Sequence, residues 1–341
     1  MPVHVTILGS GVAACGAARL LSSRGYRVSG ERESRLSGPT LLINESTRRL
    51  LADVFPRGEA ALAGGIAIRR RVVLWGAAAA PVELPHAGIA LDEAALLNSL
   101  WDQMNAPAAP ETSAADWTLV CSARGTPPSR RTFGTREALA VRVALRGSPR
   151  DTCWVESLDS GWLFLLPSDE GEAALLATGG EADTLLAQSR LIAPLVHRRL
   201  PGESTRFSTS PSLLYPPCGP GWLACGSAAM SLDPICGEGA GNSIREAILA
   251  SSIIAAADNG EARVPLLAHY TARLLAGFIR HLTVSGKFYT SGGAGEWWRR
   301  QAAGIDAALA WAKRELAALP PPRYRLHEFD LEPLASPVRL Q

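Results

Sequence analysis

The chain opens with an apolar segment, a glycine-rich turn and a second run of small and apolar residues. Residues 3–8 have the pattern of a strand, and residues 15–24 after the turn have that of a helix. Gly25 ends the predicted helix, and residues 26–30 predict a second strand that closes at Glu31. The order strand, helix, strand predicts a βαβ unit at the start of the chain.

The middle of the chain instead alternates apolar and polar residues over short segments. Turn sequences at residues 159–161 and 169–171 separate them, which is typical of an antiparallel meander. The four predicted strands of this meander lie at residues 138–145, 152–158, 162–166 and 173–178. Three further predicted strands lie at residues 66–75, 117–121 and 222–226.

Helical patterns lie between and after these strands. Asn44 can cap a helix that runs to about residue 54. Further predicted helices occupy residues 91–104, 181–200 and 242–257, and the chain is mostly helical from residue 266 to the Pro-rich segment at 320–322. A parallel start that is interrupted by an antiparallel segment predicts one domain inserted into another.

Composition limits the classes of function. In 341 residues, 47% are hydrophobic and 19% are charged, so the chain can form a core and is not mainly disordered. The net charge of +2 makes nucleic acid an unsuitable main partner. The longest apolar stretch, near residues 247–257, is too short to span a membrane, and no signal peptide is visible, so we expect a cytoplasmic protein.

Cysteine and lysine usage narrows the chemistry further. The six cysteines form no CxxC pair, so we expect reduced thiols and no metal site. Lys287 and Lys313 are the only lysines, and all other basic residues are arginines. A mechanism that needs a lysine therefore has two candidates at most.

The first glycine-rich turn fits a dinucleotide. Gly9 permits a tight turn, Gly11 lets a pyrophosphate approach the backbone, and Ala14 allows the helix to pack closely on the strand. The phosphates would meet the positive end of the helix. Glu31 can accept hydrogen bonds from a ribose 2′-OH and would repel a phosphorylated ribose, which argues against NADP. The predicted contacts in this region are Gly9, Gly11, Val12, Ala13, Ala14, Glu31 and Arg32.

A second glycine-rich stretch, residues 226–242, follows a predicted buried strand and opens a helix. Its glycines permit a close approach to the backbone, and the helix start favours an anion or an electron-rich ring edge. A glycine-rich turn with a helix cap explains the same pattern, and the stretch alone does not choose between the two. The predicted contacts here are Gly226, Ser227, Asp233, Pro234, Gly237, Gly239, Ala240, Gly241 and Asn242.

Together the two stretches resemble flavoproteins. The first matches the pattern GxGxxG/A with a later acid, and the second resembles the GDAA…DPxxGxG segment of flavin-dependent monooxygenases and halogenases with the p-hydroxybenzoate-hydroxylase fold. The resemblance implies FAD, with residues 226–228 near its ribityl chain and residues 233–240 near its ring. The turn at residues 123–125 resembles the family's A-x-G turn, which makes Ala123 a further FAD contact.

Two weaker motifs suggest the substrate side. Residues 161–167, GWLFLLP, resemble the family's GWxWxxP strand, and Trp162 and Phe164 become candidates for the substrate side, although both positions fit core packing equally well. Phe288-Tyr289 and Trp297-Trp298-Arg299-Arg300 resemble the FY…FWxRR ending of members that modify tryptophan. The last cluster could meet a partner or pack a C-terminal helix.

Three departures from the family pattern carry information. Ser227 replaces the Asp of GDAA, which changes a charged ribityl acceptor into a hydroxyl, and Phe164 replaces the second Trp of GWxWxxP. Tryptophan halogenases of this fold carry an essential lysine early in the substrate domain, yet no lysine precedes Lys287. The absence of a lysine in this part of the chain argues against a chlorination mechanism that depends on one.

The resemblance therefore implies an FAD-dependent monooxygenase that hydroxylates an aromatic substrate through a flavin C4a-hydroperoxide. The substrate could be a tryptophan side chain of a peptide or precursor protein, with a flavin reductase or transient NAD(P)H as reductant. Alternatives are a maturation flavoprotein that docks on a precursor protein, a halogenase-like or oxidase flavoprotein, and a scaffold that has lost flavin. No catalytic acid or base is assigned; His86 and His197 are candidates only.

The fold class follows from the same resemblance. We expect a mixed α/β protein with a Rossmann-like FAD-binding domain, interrupted by an antiparallel substrate domain and followed by a helical C-terminal segment. The FAD-binding domain would comprise residues 1–55, 91–130 and 206–265, the substrate domain residues 56–90 and 131–205, and the helical segment residues 266–341.

Overall fold

A computed structural model describes residues 2–30, 39–104, 115–122, 129–147, 149–202 and 204–334. The first half contains β1 (His4–Leu8), α1 (Val12–Ser23), β2 (Arg27–Gly30), β3 (Thr40–Asn44), α2 (Glu45–Val54), β4 (Ile66–Leu74), β5 (Val82–Asp92), α3 (Glu93–Trp101), β6 (Trp117–Val120), β7 (Arg130–Thr132), β8 (Glu137–Leu145), β9 (Thr152–Leu158) and β10 (Gly161–Asp169). The second half contains β11 (Glu172–Thr178), α4 (Ala182–Leu186), β12 (Val196–Arg199), β13 (Thr205–Ser208), β14 (Ser212–Leu214), β15 (Cys218–Gly219), β16 (Trp222–Ala224), β17 (Met230–Ser231), α5 (Gly239–Asp258), α6 (Arg263–Ser291), α7 (Glu296–Ala318), β18 (Tyr324–His327) and β19 (Asp330–Pro333).

A five-stranded sheet has the order β15-β16-β6-β1-β2, and its strands β2, β1, β6 and β16 are parallel. The chain leaves β1 toward β2 on one side, and β6 pairs on its other side. This is a switch point in the strand order, where open α/β sheets place their ligands beyond the carboxyl ends of the strands. The strands β1, β6 and β16 direct their carboxyl ends to that edge.

A larger sheet contains β3, β4, β5 and β8 to β13, and all its pairings are antiparallel except that of β4 with β9. Strand β10 is apolar at most positions because both its faces are covered: Leu163 and Leu165 pack in one cluster, and Trp162 packs in the main core. A small sheet has the strand order β17-β14-β7, and its strand β17 belongs to the second glycine-rich stretch.

The main core joins the parallel sheet to the helices α1, α5, α6 and α7. Gly16 lets α1 pack closely on α5, because a Cβ there would lie 3.2 Å from Ala247 Cβ. Within the described part of the chain, we find no helix with the length and apolar character needed to cross a membrane.

The sequence located most elements but not all. The predicted meander, the βαβ start and the helices near residues 45–54, 91–104 and 242–257 are confirmed, as is the mixed α/β fold. A long helix at residues 181–200 is wrong, because the segment forms the short α4, a 3-10 turn and strand β12. Strands β3, β5, β7, β12 to β15 and β17 to β19 went unpredicted, and the last two form a hairpin within the segment 266–341 that was expected to be helical. Strand β3, although it belongs to the segment 1–55, pairs with β5 in the larger sheet, and the division into domains stays a prediction.

Candidate functional site

The two glycine-rich regions, far apart in the sequence, meet at the carboxyl edge of the parallel sheet. Gly226, directly after the end of β16, has φ +61, and a Cβ there would lie only 2.7 Å from Ala13 Cβ at the start of α1. Gly9 after β1 has φ +121, and its Cβ would lie 3.0 Å from the Cβ of Ser122 after β6. Side chains larger than hydrogen would force these turns apart.

The start of α1 is open to a ligand. Gly11 is its N-cap and has no side chain to accept a hydrogen bond from the first turn, which also lacks acidic residues. A Cβ on Gly11 would meet no atom of the described residues within 4 Å, so these residues leave free space beside the backbone. Trp101 Nε1 donates to Ser10 O at 3.1 Å and holds the turn in place. Bare amides at a helix start form a site for phosphate groups.

Glu246, on α5, contacts the turn at Gly226 through its side chain. Its Oε2 accepts a hydrogen bond from Gly226 N at 2.6 Å, and the side chain is buried. Burial raises the pKa of Glu246 to about 8, which the Gly226 N–H partly opposes. The carboxyl is therefore mainly protonated near neutral pH.

Arg130 contacts the same turn through the carbonyl oxygens that follow Gly226. Its Nη2 donates to the carbonyl oxygens of Ser227 and Ala228, both at 2.6 Å, and its Nη1 donates to Ser212 Oγ at 2.8 Å. Partial burial lowers the pKa of Arg130. Ser227 itself is exposed, and its hydroxyl donates to Cys121 O at 3.4 Å.

The loop from Asp233 to Gly237 is held in part by its own aspartate side chain. Asp233 is buried, and its Oδ1 accepts from Ile235 N at 3.0 Å in the turn that begins at Pro234. Burial and the charges of Asp233 and Glu238 raise the pKa of Cys236 to about 12, so this thiol is neutral and a poor nucleophile.

The remaining predicted contacts line the start of α5. Among the described residues, added Cβ atoms on Gly237 and Gly239 would meet no atom within 4 Å, whereas one on Gly241 would lie 2.5 Å from Thr47 Oγ1 of α2. Asn242 N donates to Glu238 O at 2.9 Å, and Ala240 is half-buried beside the core. Three predicted contacts, Glu31, Arg32 and Ala123, lie outside the described residues.

The two substrate-side candidates have different surroundings. Trp162 is 1% exposed, and its Nε1 donates to the hydroxyl of Tyr289 at 3.1 Å, so the indole belongs to the core. Phe164, two residues further along β10, is half-buried and contacts the main core and a smaller cluster around Ile68. Strand alternation places both on the same face of β10.

The other singled-out residues lie away from the glycine-rich turns. His86 lines a cavity of about 250 Å³ with Glu45 and Arg48, and burial followed by the charge of Arg71 lowers its pKa. His197 is exposed on β12. Trp298 is buried and donates from Nε1 to Leu158 O at 2.8 Å.

The structure also shows where the two lysines lie and whether possible metal ligands come together. Lys287 on α6 and Lys313 on α7 are both exposed. Among the residues that the structure describes, no group of three or more His, Cys, Asp or Glu side chains could hold a metal ion. A second cavity of about 540 Å³ lies between the ends of β4 and β9 and the link from α6 to α7, and is lined by residues such as Ser157, Asp159 and Arg190.

Sequence reasoning missed four residues that shape the site: Glu246, Arg130, Arg136 and His281. Glu246 had a detectable signal, because an acid that precedes the mostly apolar residues 247–257 of a helix indicates a buried partner. Arg130 and Arg136 lie where the sequence predicts no element, and His281 lies in a predicted helix; only the fold brings the three to the loops.

No family model matches the chain, and no curated protein is similar enough in sequence to give a match. Solved structures do match. A peptidyl tryptophan dihydroxylase, QhpG, described as essential for tryptophylquinone cofactor biogenesis, is 20% identical, with a TM-score of 0.71 over 88% of this chain and 79% of its own. The myxobacterial chondrochloren halogenase CndH, an FAD-dependent halogenase, is 13% identical, with a TM-score of 0.71 over 93% and 91%.

A third similar structure is PqsL, a probable FAD-dependent monooxygenase from Pseudomonas aeruginosa, which is 16% identical, with a TM-score of 0.66 over 90% of this chain and all of its own. The chain has the fold of FAD-dependent halogenases and monooxygenases. The resemblance seen in the sequence is thus confirmed at the level of the fold. At these sequence identities the similarity shows the fold only, and the chemistry has to be argued from the residues of this chain.

Proposed function

We propose that this protein binds FAD at the edge where the two glycine-rich turns meet. The supporting observation is the contact of Gly226 with Ala13, which brings both turns to the carboxyl ends of β1, β6 and β16. The free space beside Gly11, Gly237 and Gly239 leaves backbone exposed in both regions, as a bound dinucleotide requires. The solved structures with this fold include FAD-dependent enzymes.

The residues present fit this cofactor. The start of α1 would hold the pyrophosphate, the turn at Gly226 and Ser227 would lie beside the ribityl chain, and the loop from Asp233 to Gly239 would lie beside the ring. Ser227 offers a hydroxyl in place of a carboxylate, so we expect weaker FAD binding than an aspartate would give.

We further propose that the reaction is hydroxylation of an aromatic substrate, a tryptophan side chain of a peptide or precursor protein. Bound reduced FAD supplies activation of O2. The chain supplies the surrounding structure: α1 and α5 bind the cofactor, and β10 with α6 and α7 forms an apolar wall that excludes water. One neighbour of the same fold is a peptidyl tryptophan dihydroxylase.

Chlorination is less well supported than hydroxylation. Both lysines are exposed on the outer faces of helices, and neither lies in the part of the chain where the halogenase lysine is expected. A second candidate function, a maturation flavoprotein that docks on a precursor protein, is favoured by the cofactor-biogenesis role of QhpG. It predicts a stable complex with the precursor and slow turnover of free tryptophan.

The test begins with the purified protein and FAD. We expect a yellow protein or one that reconstitutes with FAD; a colourless protein that cannot be reconstituted would contradict the proposal. The holoenzyme is then reduced by a flavin reductase with NADH and given O2 with tryptophan-containing peptides. Incorporation of 18O into the peptide supports hydroxylation, whereas chlorinated peptide in the presence of chloride would favour the halogenase alternative.

A further inference from the structure

Three separate motifs of the sequence converge on one hydroxyl group. The phenol of Tyr289 on α6 accepts a hydrogen bond from Trp162 Nε1 at 3.1 Å and donates to Asp233 Oδ2 at 2.8 Å. All three side chains are buried. The strand that resembles GWxWxxP, the DPxxG loop and the Phe-Tyr pair of α6 are therefore joined in a continuous hydrogen-bond chain inside the core.

Arg136 completes this cluster with a charge. Its Nη2 lies 2.5 Å from Asp233 Oδ2, both side chains are at most 1% exposed, and its guanidinium carbon lies 4.2 Å from the centre of the Tyr289 ring. Arg136 also donates from Nη2 to Thr209 O at 2.8 Å and from Nε to Thr209 Oγ1 at 3.3 Å. Removing one partner of a buried ion pair is strongly destabilising, because the other charge is left buried without compensation.

The backbone of the loop is held as well. Asp233 N donates to His281 Nε2 at 2.9 Å, and burial lowers the pKa of His281, which keeps this nitrogen free to accept. Gly237 N then donates to Pro234 O at 2.9 Å. Side chains from β10, α6 and the segment before β8 thus hold the loop in position.

Resting on the proposed function, we propose that Tyr289, together with Arg136 and Trp162, positions the loop of residues 233–237 beside the flavin ring and thereby sets the fate of O2. Each two-electron reduction of O2 with two protons ends in one of two ways. Either one oxygen atom enters the substrate and the other leaves as water, or both leave as H2O2. A displaced loop shifts this partition toward H2O2, because the ring and the substrate lose their fixed geometry.

The test compares Tyr289→Phe with Tyr324→Phe as a matched control. Phenylalanine keeps the ring beneath Arg136 and removes only the hydroxyl, while Tyr324 donates to Glu261 at 2.9 Å in another part of the molecule. Tyr289→Phe removes the bonds to Trp162 and Asp233, and we expect an FAD Kd about fivefold higher from the lost bond to the Asp233 loop. We also expect faster hydrogen exchange in the peptide that contains residues 233–237, and about twofold more H2O2 per NADH oxidised.

The outcomes separate the two proposals. A wild-type protein that never binds FAD contradicts the proposed function. Wild type that binds FAD, with Tyr289→Phe equal to the control in Kd, exchange and H2O2, overturns only the positioning role. If Tyr289→Phe does not fold, Trp162→Phe carries the test, because it leaves the bond between Tyr289 and Asp233 intact. We expect Trp162→Phe to give smaller changes of the same kind. If it changes none of the readouts, the inference is overturned.

Discussion

The turn at Gly9–Gly11 and the loop at Asp233–Gly237 lie at the same edge of the fold but are held in different ways. Backbone geometry fixes the first: Gly9 adopts a positive φ against Ser122, and one indole donates to a carbonyl oxygen. Buried side chains fix the second, through the ion pair of Asp233 with Arg136 and its bond with Tyr289.

This difference shows where each half of the site is encoded. The first turn depends on small residues close together in the sequence, so its rules are local. The second depends on partners from β10, α6 and the segment before β8, so its stability is that of the surrounding core. A substitution far from residues 233–237 in the sequence can therefore displace this loop and leave the first turn unchanged.

Removing the charge of Arg136 should give the largest effect. Arg136→Met leaves Asp233 buried without its cation, and we expect a loss of about 3–5 kcal/mol in the free energy of unfolding. Arg142→Met is the control, since Arg142 pairs with Glu172 at the surface and should cost less than about 1 kcal/mol. Urea unfolding measures both, and equal losses would contradict a special role of the buried pair.

A methyl group at Gly226 should come next. Gly226→Ala adds a clash with Ala13 to a positive φ, and we expect a cost of about 2–4 kcal/mol. Gly171→Ala isolates the backbone term, because Gly171 has φ +69 in a hairpin with no atom within 4 Å of an added Cβ. The difference between the two unfolding free energies measures the clash; no difference would mean that the two turns do not touch.

Glu246 makes the contact between turn and helix dependent on pH. Its pKa is about 8 in the fold against 4.5 when exposed, so the folded state keeps a proton that the unfolded chain releases. Stability from this group is full below about pH 4.5 and is lost as the pH rises toward 8. Relative to wild type, Glu246→Gln should gain about 1–3 kcal/mol between about pH 5 and pH 8.

Thermal midpoints across this pH range measure the effect. Glu296→Gln provides the control, because Glu296 is an exposed residue of α7. Parallel pH profiles for wild type and Glu246→Gln would show that the carboxyl is not protonated in the fold, and would remove this group as a source of pH dependence.

The smallest change in stability should occur at Gly11. The added methyl group of Gly11→Ala meets no atom of the described residues within 4 Å, and φ is −76, so we expect a loss of less than about 0.5 kcal/mol in the free energy of unfolding. The methyl group would occupy the space proposed for the pyrophosphate, so the FAD Kd should rise about tenfold or more. Fluorescence titration tests this, and an unchanged Kd would place the cofactor elsewhere.

Much of the architecture could be predicted because its signals are local. Hairpin turns bounded the meander, Asn44 marked the start of α2, and its side chain does accept from Thr47 N at 2.8 Å. The segment 181–200 misled because its apolar residues fit a helical period, whereas tertiary packing against Glu156 bends it. The carboxylate of Glu156 accepts hydrogen bonds from the backbone of residues 190–192.

By itself the sequence determined the two glycine-rich turns, the mixed fold and the absence of any lysine before Lys287. Glycine and lysine content need no tertiary information, because a missing side chain or a missing amine is a property of the chain. Only the tertiary structure decided that Gly226 touches Ala13 and that Trp162, Tyr289 and Asp233 form one chain. Such contacts join residues from distant strands and helices, and buried polar groups choose partners only once the fold has excluded water.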